Sequence, residues 1–416
     1  MNNSINKPII AFLSTYPPRK CGIATFTCDL ASAVDNLPSS DLKSKIIAIN
    51  DGSQTYDYKN GILFQLRDNT SMDYVKAAHI INENENIKAV SIQHEFKLYG
   101  SDYNEYGENL LLFIGAITKP VVTTLHTVLP APSLHRKRII QSIGVRSEYL
   151  VVMSRSAVEI LEKDYSIPRS KIVIIPHGIH DVAPEPDGLS KKDLGCQGKI
   201  LLVSFGLLRP NSRRQSSGRG YEYVLDALPE VVKKFPNILY FIVGSTHPLS
   251  LKTEGEKYRN FLENKVKGLG LEEHVQFINK YAGLTEILKY LKAADVYLSS
   301  SLNPHQISSG TLSYAMGCGC AVISTPFTHA KEVLTPQKGI LLDDFEKPEL
   351  FSEAIIKLLS NPELKESMRK NAYLHTRHMI WPKVALAYVN LFDRLASLPE
   401  EFSDTTRNIE PPSVVP

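Results

Sequence analysis

Short β-branched runs alternate with amphipathic segments along most of this chain, and that alternation restricts its fold more than any other feature. The runs IIAFL, KIIAIN, AVSIQ, VVTTL, YLVVM and KIVII occupy the first half; ILLVSF, LYFIV, VQFI, VYLSS and AVIST occupy the second. Between them stand helical patterns such as EYVLDALPEVVKKF and LTEILKYLKAA. Strands separated by helices build parallel βαβ units, and here the pattern occurs twice. The stretch APEPDGLSKKDLGCQG, residues 183–198, interrupts it with proline, glycine and charge and reads as a linker. The expected organisation is one α/β domain over 1–185 and another over 197–378. A last amphipathic helix is expected over 379–396, followed by a polar, proline-rich and disordered tail over 397–416. A length of 416 residues agrees, because one hydrophobic core seldom serves so long a chain.

Charge and cysteine content narrow the function classes. A formal net charge of +3 without a block of like charge argues against nucleic acid as partner, so any anion site must be local. The five cysteines, Cys21, Cys28, Cys196, Cys318 and Cys320, are odd in number and lack zinc spacing, which fits reduced thiols in a cytoplasmic protein. Cys318-x-Cys320 reads as small residues packing a tight helix-to-strand turn rather than as a metal site. No apolar run reaches the length of a membrane span, and the first residues carry too short a run for a signal peptide. A soluble protein is expected.

Open parallel sheets bind ligands outside the carboxyl ends of their strands, so the residues that follow each strand are the candidates. TYPPRKCGIATFTCDLA follows the first strand; its prolines forbid helix, Gly22 permits a tight backbone, and a helix is expected from about Thr25. QHEFKLYG brings His94, Glu95 and Tyr99 to the next strand end, and LHTV brings His126. Such groups suit sugar hydroxyls or acid–base work. PHGI reads as a turn, with His177 the less suited to touch ligand.

Two elements in the second half seek an anion. In GLLRPNSRRQSSGRGYEY, Gly206 follows the strand, and Arg209 and Arg219 flank the ends of the loop, well placed for a diphosphate. Arg213 and Arg214, further out, read as a solvated basic turn. NPHQISSGTLSYAMGCGC follows VYLSS, and its Ser308-Ser309-Gly310-Thr311 turn is expected to open a helix directly after that strand. The partial positive charge of such a helix end suits a phosphate. Together the two imply one nucleoside diphosphate.

At this point the chain resembles the retaining glycosyltransferases of family 4. The similarity runs through PPRKCGIATFTCDLA, LHTV, VVMSRSAVEIL, IPHGI, GRGYEYVLDALP, YFIVGSTHP, SSGTLSYAMGCGCAVISTP and the final WPKVALAYVNLFDRL. The resemblance implies a GT-B fold, two facing Rossmann-like α/β domains with a C-terminal helix crossing back to the first. It implies hexose transfer, mannose or glucose, from a nucleotide-sugar donor to a carbohydrate or other hydroxyl acceptor, with no metal and no cofactor. In the family's front-face mechanism the leaving phosphate takes the acceptor proton.

By the same resemblance Gly22 approaches the donor phosphate, His126 lies near the donor sugar, and Arg209 and Arg219 grip the diphosphate. His94, Glu95 and Tyr99 would then bind acceptor or donor-sugar hydroxyls. One departure stands out. The family carries two glutamates seven residues apart across the last loop and helix, and here Gln306 and Tyr314 occupy their places. Glu332, read as another strand-end residue, is the candidate replacement for a lost carboxylate. Two rivals remain open from sequence: a disaccharide phosphorylase on the same scaffold, and a sugar- or nucleotide-binding module without catalysis.

Overall fold

The computed structural model describes residues 7–52, 54–59, 61–100, 107–184, 189–210 and 218–396. Its chain divides into two compact units, one of residues 1–178 with 381–416 and one of residues 179–380. Arg213, Arg214, part of the expected linker and the whole tail from residue 397 lie outside the described residues.

The first unit is built on seven parallel strands: β1 Ile9–Ser14, β2 Lys43–Asn50, β3 Ile62–Arg67, β4 Ile87–His94, β5 Val121–Leu125, β6 Tyr149–Val152 and β7 Ile172–Ile174. Their order is β3-β2-β1-β4-β5-β6-β7. Its helices are α1 Gly22–Asp35, α2 Ser71–Glu83, α3 Glu108–Ala116, α4 Leu134–Arg146 and α5 Arg155–Tyr165. The final helix, Trp381–Ala396, belongs to this unit too. Its apolar stripe explains why the chain returns. Trp381, Val384, Tyr388 and Phe392 are all buried against Phe26, Leu30 and Val34 of α1. The Tyr388 hydroxyl is satisfied inside by Thr124 at 2.9 Å.

The second unit carries six parallel strands: β8 Ile200–Phe205, β9 Ile238–Val243, β10 Val275–Ile278, β11 Val296–Ser299, β12 Ala321–Ser324 and β13 Ile340–Leu341, in the order β10-β9-β8-β11-β12-β13. Helix α6, Leu189–Asp193, falls inside the stretch expected to be linker, and α7, Tyr221–Lys234, follows the arginine loop. Gly319, between Cys318 and Cys320, has φ +70°, and both cysteines are buried.

In each sheet the strand order reverses once, between β1 and β4 and between β8 and β11, and that reversal opens a crevice at the strands' carboxyl ends. Both crevices coincide with loops singled out from sequence. Two strands escaped the sequence reading. β3 has exposed residues on one side, and β13 is only two residues long.

Candidate functional site

In the second unit the loops after β8 and β11 are tied to one another. The Ser300 hydroxyl donates to the Arg219 carbonyl, and Leu302 N–H donates to the Gly218 carbonyl at 3.0 Å. Gly220 closes the turn with φ +58°; a Cβ there would stand 2.7 Å from the Ser300 carbonyl oxygen. These ties fix where Arg219 points. Its guanidinium lies against Gly206, so closely that a Cβ on Gly206 would meet Nε at 2.7 Å. Arg219 Nε is buried and, among the described residues, has no hydrogen-bond partner. A buried guanidinium nitrogen without an acceptor is costly, and an anion is its natural complement.

Two buried tyrosines line the same place. Tyr221, the first residue of α7, donates its hydroxyl to the Gly206 carbonyl at 3.2 Å. Burial pushes its pKa up, while the charges of Arg219 and Arg209 pull it down, so both arginines bear on one hydroxyl. Tyr297 of β11 shares a hydrogen bond with the Thr311 side chain; burial pushes its pKa up to about 12, against that bond and the Arg219 charge. Gly206, Arg209, Arg219 and Thr311 therefore converge. Tyr221 and Tyr297 join them, and sequence reading missed both because a buried tyrosine in a strand or helix reads as core.

The helix that presents Thr311 runs Gly310–Gly317, with ten residues between it and the end of β11, so it does not open directly after the strand as expected. Ser309 is its N-cap, accepting from Leu312 N–H at 3.3 Å. Among the described residues no acceptor meets the N–H of Gly310 or Thr311. Those two donors are the ones a phosphate would take. The intervening segment is held by Gln306, whose amide accepts from the Ser301 hydroxyl at 2.8 Å and donates to the Ser308 carbonyl at 2.9 Å. Gln306 thus shapes the loop with the side chain read from sequence as sugar-directed. Because Ser309 caps the helix, Ser309→Ala is expected to lower stability by about 1 kcal/mol, read from thermal unfolding; no change in unfolding would remove the capping role.

Tyr314 and Glu332, expected at the donor site, both have interactions within the protein. Tyr314 is buried, stacks on His180 at 6.0 Å and bonds to His180 Nδ1 at 3.1 Å. Its hydroxyl is engaged within the unit rather than presented to a ribose. Glu332 sits within the helix Thr328–Val333 rather than at a strand end.

In the first unit Gly22 is the first residue of α1, so the helix starts three residues earlier than expected, with Cys21 as N-cap. A Cβ on Gly22 would meet nothing within 4 Å, so the protein's own packing does not demand glycine there. His126 holds Gln93 Oε1 at 2.9 Å and meets the Phe26 ring edge-on at 4.9 Å. Burial first, then His177 and His94, push its pKa down to about 3, which keeps the imidazole neutral. His177 meets Phe26 at 5.2 Å and Trp381 at 6.3 Å, with its pKa pushed down to about 4 by burial.

Glu95 is half-buried; one carboxylate oxygen accepts from Phe96 N–H at 3.0 Å and the other from the Thr127 hydroxyl. Burial raises its pKa against those bonds. Arg136, which sequence reading passed over, lies above the Phe96 ring at 5.4 Å and adds positive charge near Glu95.

His94 and Tyr99, expected to bind hydroxyls, are placed in the interior. Both are fully buried. Tyr99 donates to the Gln93 carbonyl at 2.7 Å and stacks on His94 at 6.1 Å. The alternation of β4 turns His94 inward, and the short helix Phe96–Leu98 carries Tyr99 back under the sheet end. Among the described residues no cluster of His, Cys, Asp or Glu has the arrangement of a metal site.

Two parallel α/β units, one of them setting a buried arginine Nε without an acceptor among the described residues beside an open helix end at a topological switch point, offer an arrangement that suits a phosphate. Comparison with known proteins makes that reading specific. The family model described as Glycosyl transferases group 1 matches residues 211–375, and that described as Glycosyltransferase Family 4 matches residues 104–182, together more than half of the chain. An uncharacterized glycosyltransferase of Methanocaldococcus jannaschii is 27% identical over 63% of this chain, which spans 62% of that relative's length. A phosphatidyl-myo-inositol mannosyltransferase of Mycobacterium tuberculosis is 25% identical over 69% of this chain and 70% of its own. The structure of Anabaena HepE in complex with UDP and glucose superposes with a TM-score of 0.71 at 16% identity, covering 94% of this chain and all of that one. The chain is similar to the glycosyltransferases of family 4 and has the GT-B fold.

Proposed function

We propose that the protein is a retaining glycosyltransferase that moves a hexose from a nucleotide sugar to a glycan or other hydroxyl acceptor. The observation that carries the proposal is Arg219: a buried guanidinium nitrogen without an acceptor, braced on Gly206 and neighbouring the Thr311 end of an open helix. The family-model matches and the nucleotide held by Anabaena HepE support the same reading.

In this mechanism Arg219, Arg209 and the N–H groups of Gly310 and Thr311 hold the donor diphosphate. Charge grows on the leaving phosphate in the transition state, and fixed donors stabilise it without reorganising. That oxygen accepts the acceptor's proton, so no side-chain nucleophile and no metal are required. His126, kept neutral, offers a ring nitrogen to a sugar hydroxyl. Glu95 orients Thr127 and the turn at Phe96, and Gln306 shapes the loop that presents Ser308.

Calorimetry with UDP, GDP, ADP and inorganic phosphate tests the proposal. One nucleoside diphosphate is expected to bind, and Arg219→Ala to weaken it by about 1.5–3 kcal/mol. Binding of inorganic phosphate alone would favour a phosphorylase. Nucleotide binding with neither transfer nor hydrolysis would leave only a binding module.

A further inference from the structure

Gln93 of β4 is fully enclosed, yet its side chain ends in an amide whose polar atoms the interior must satisfy. The sheet brings it to His126. β4 and β5 run parallel with Gln93 opposite Thr124, and His126 N–H donates to the His94 carbonyl at 3.0 Å. The Gln93 amide then bridges two neighbours. Its Nε2 donates to the Ser91 hydroxyl at 3.3 Å, and its Oε1 lies 2.9 Å from His126 Nε2.

An amide oxygen can only accept, so His126 Nε2 must carry the proton. Burial holds this ring neutral, with its pKa pushed down to about 3, and a neutral imidazole has a single ring proton to place. Nδ1 is therefore bare. Among the described residues it has no partner, and it is not enclosed. Phe26 of α1 meets the ring edge-on at 4.9 Å with the planes at 90°, which resists the half-turn that would exchange the two nitrogens. A carboxylate in place of Gln93 would accept the same proton but favour the charged ring. The neutral amide sets the tautomer and leaves the charge alone.

We propose that Gln93 is a positioning residue that fixes His126 as the Nε2–H tautomer, so that Nδ1 can only accept a hydrogen bond at the carboxyl end of the sheet. An acceptor-only nitrogen takes a group able to donate, which a sugar hydroxyl is and a carboxylate is not. The sugar's part in this rests on the transferase reading, while the tautomer stands or falls without it.

The full chain carrying nitrogen-15-labelled histidine tests it: long-range proton–nitrogen NMR spectra at neutral pH show which ring nitrogen holds the proton, and His126→Gln identifies the signals. His126 Nε2 is expected protonated and Nδ1 bare. Gln93→Met, which has no such acceptor, should shift the tautomer ratio by about fivefold, and Gln93→Glu should keep Nε2 protonated. A proton on Nδ1 in the parent chain overturns the proposal, as does a ratio that Gln93→Met leaves unchanged. Should Gln93→Met fail to fold, the parent spectrum and Gln93→Glu decide. UDP-glucose, GDP-mannose and ADP-glucose are then added in turn. The donor that binds by calorimetry should move the Nδ1 signal more than the Nε2 signal; a bound donor that leaves Nδ1 unmoved overturns its role as acceptor for the sugar. Binding of none of the three would count against the transferase reading alone, because the parent spectrum has already decided the tautomer.

Discussion

Gly244→Ala is expected to destabilise the second unit severely, whereas Gly206→Ala leaves it folded and weakens nucleotide binding. A Cβ on Gly244 would stand 2.0 Å from the carbonyl oxygen of Gly206. That oxygen belongs to backbone and also accepts from Tyr221 at 3.2 Å, so it has no inexpensive way to move. The clash should cost about 3 kcal/mol or more. At Gly206 the nearest atom is instead Arg219 Nε at 2.7 Å, part of a flexible side chain that can swing away.

The φ of +150° at Gly206 is one that L side chains rarely adopt, so alanine adds strain of about 1–3 kcal/mol. The guanidinium then leaves its seat, and binding of the nucleoside diphosphate should fall by at least as much as in Arg219→Ala, about 1.5–3 kcal/mol. Melting curves and calorimetry on the two variants separate the cases. A stable Gly206→Ala chain with full nucleotide affinity would mean that the Arg219 seat is only packing.

This contrast was half visible in the sequence. Gly206 and Arg219 stand out by type and by position after a strand and before a helix. Their contact is tertiary, made by pinning Gly218–Gly220 to Ser300 and Leu302, and no local pattern encodes it. The same limit explains the misreadings. Strand periodicity located His94 at the end of β4, yet which side of the sheet end it meets depends on helices remote in sequence. Tyr314 was placed by analogy with a family position; here a neighbouring histidine takes up its hydroxyl. Gln306 was recognised as a departure, while its bonds to Ser301 and Ser308 were invisible until the loop closed. The twofold βαβ pattern, in contrast, is local and repeated, so both sheets were legible apart from the half-exposed β3 and the two-residue β13.

The buried histidines His94, His126 and His177, of which sequence reading took the first two for ligand groups, are expected to govern acid stability of the first unit. Burial holds His94 and His126 down to about 3 and His177 down to about 4. In the unfolded chain each ring regains its ordinary value of about 6.5. As pH falls below that value the unfolded state takes up protons that the folded state refuses, so stability falls with pH until the folded rings themselves titrate. Each refused proton adds a slope of up to about 1.4 kcal/mol per pH unit.

His94 is fully enclosed, with neither ring nitrogen bonded, and should show the whole of that slope. His126 and His177 keep partial exposure and should show less. Glu95 works in the opposite sense, since its pKa is raised, so the window is cleanest above pH ~5. Trp381, the chain's one tryptophan, packs against Phe26 at 5.3 Å in this unit and reports its unfolding. Urea titrations followed by its fluorescence should lose about 2–3 kcal/mol between pH 6.5 and pH 5. His94→Gln should flatten that dependence. An unaltered slope in His94→Gln would show that the imidazole at the end of β4 takes up its proton as readily inside the fold as outside it.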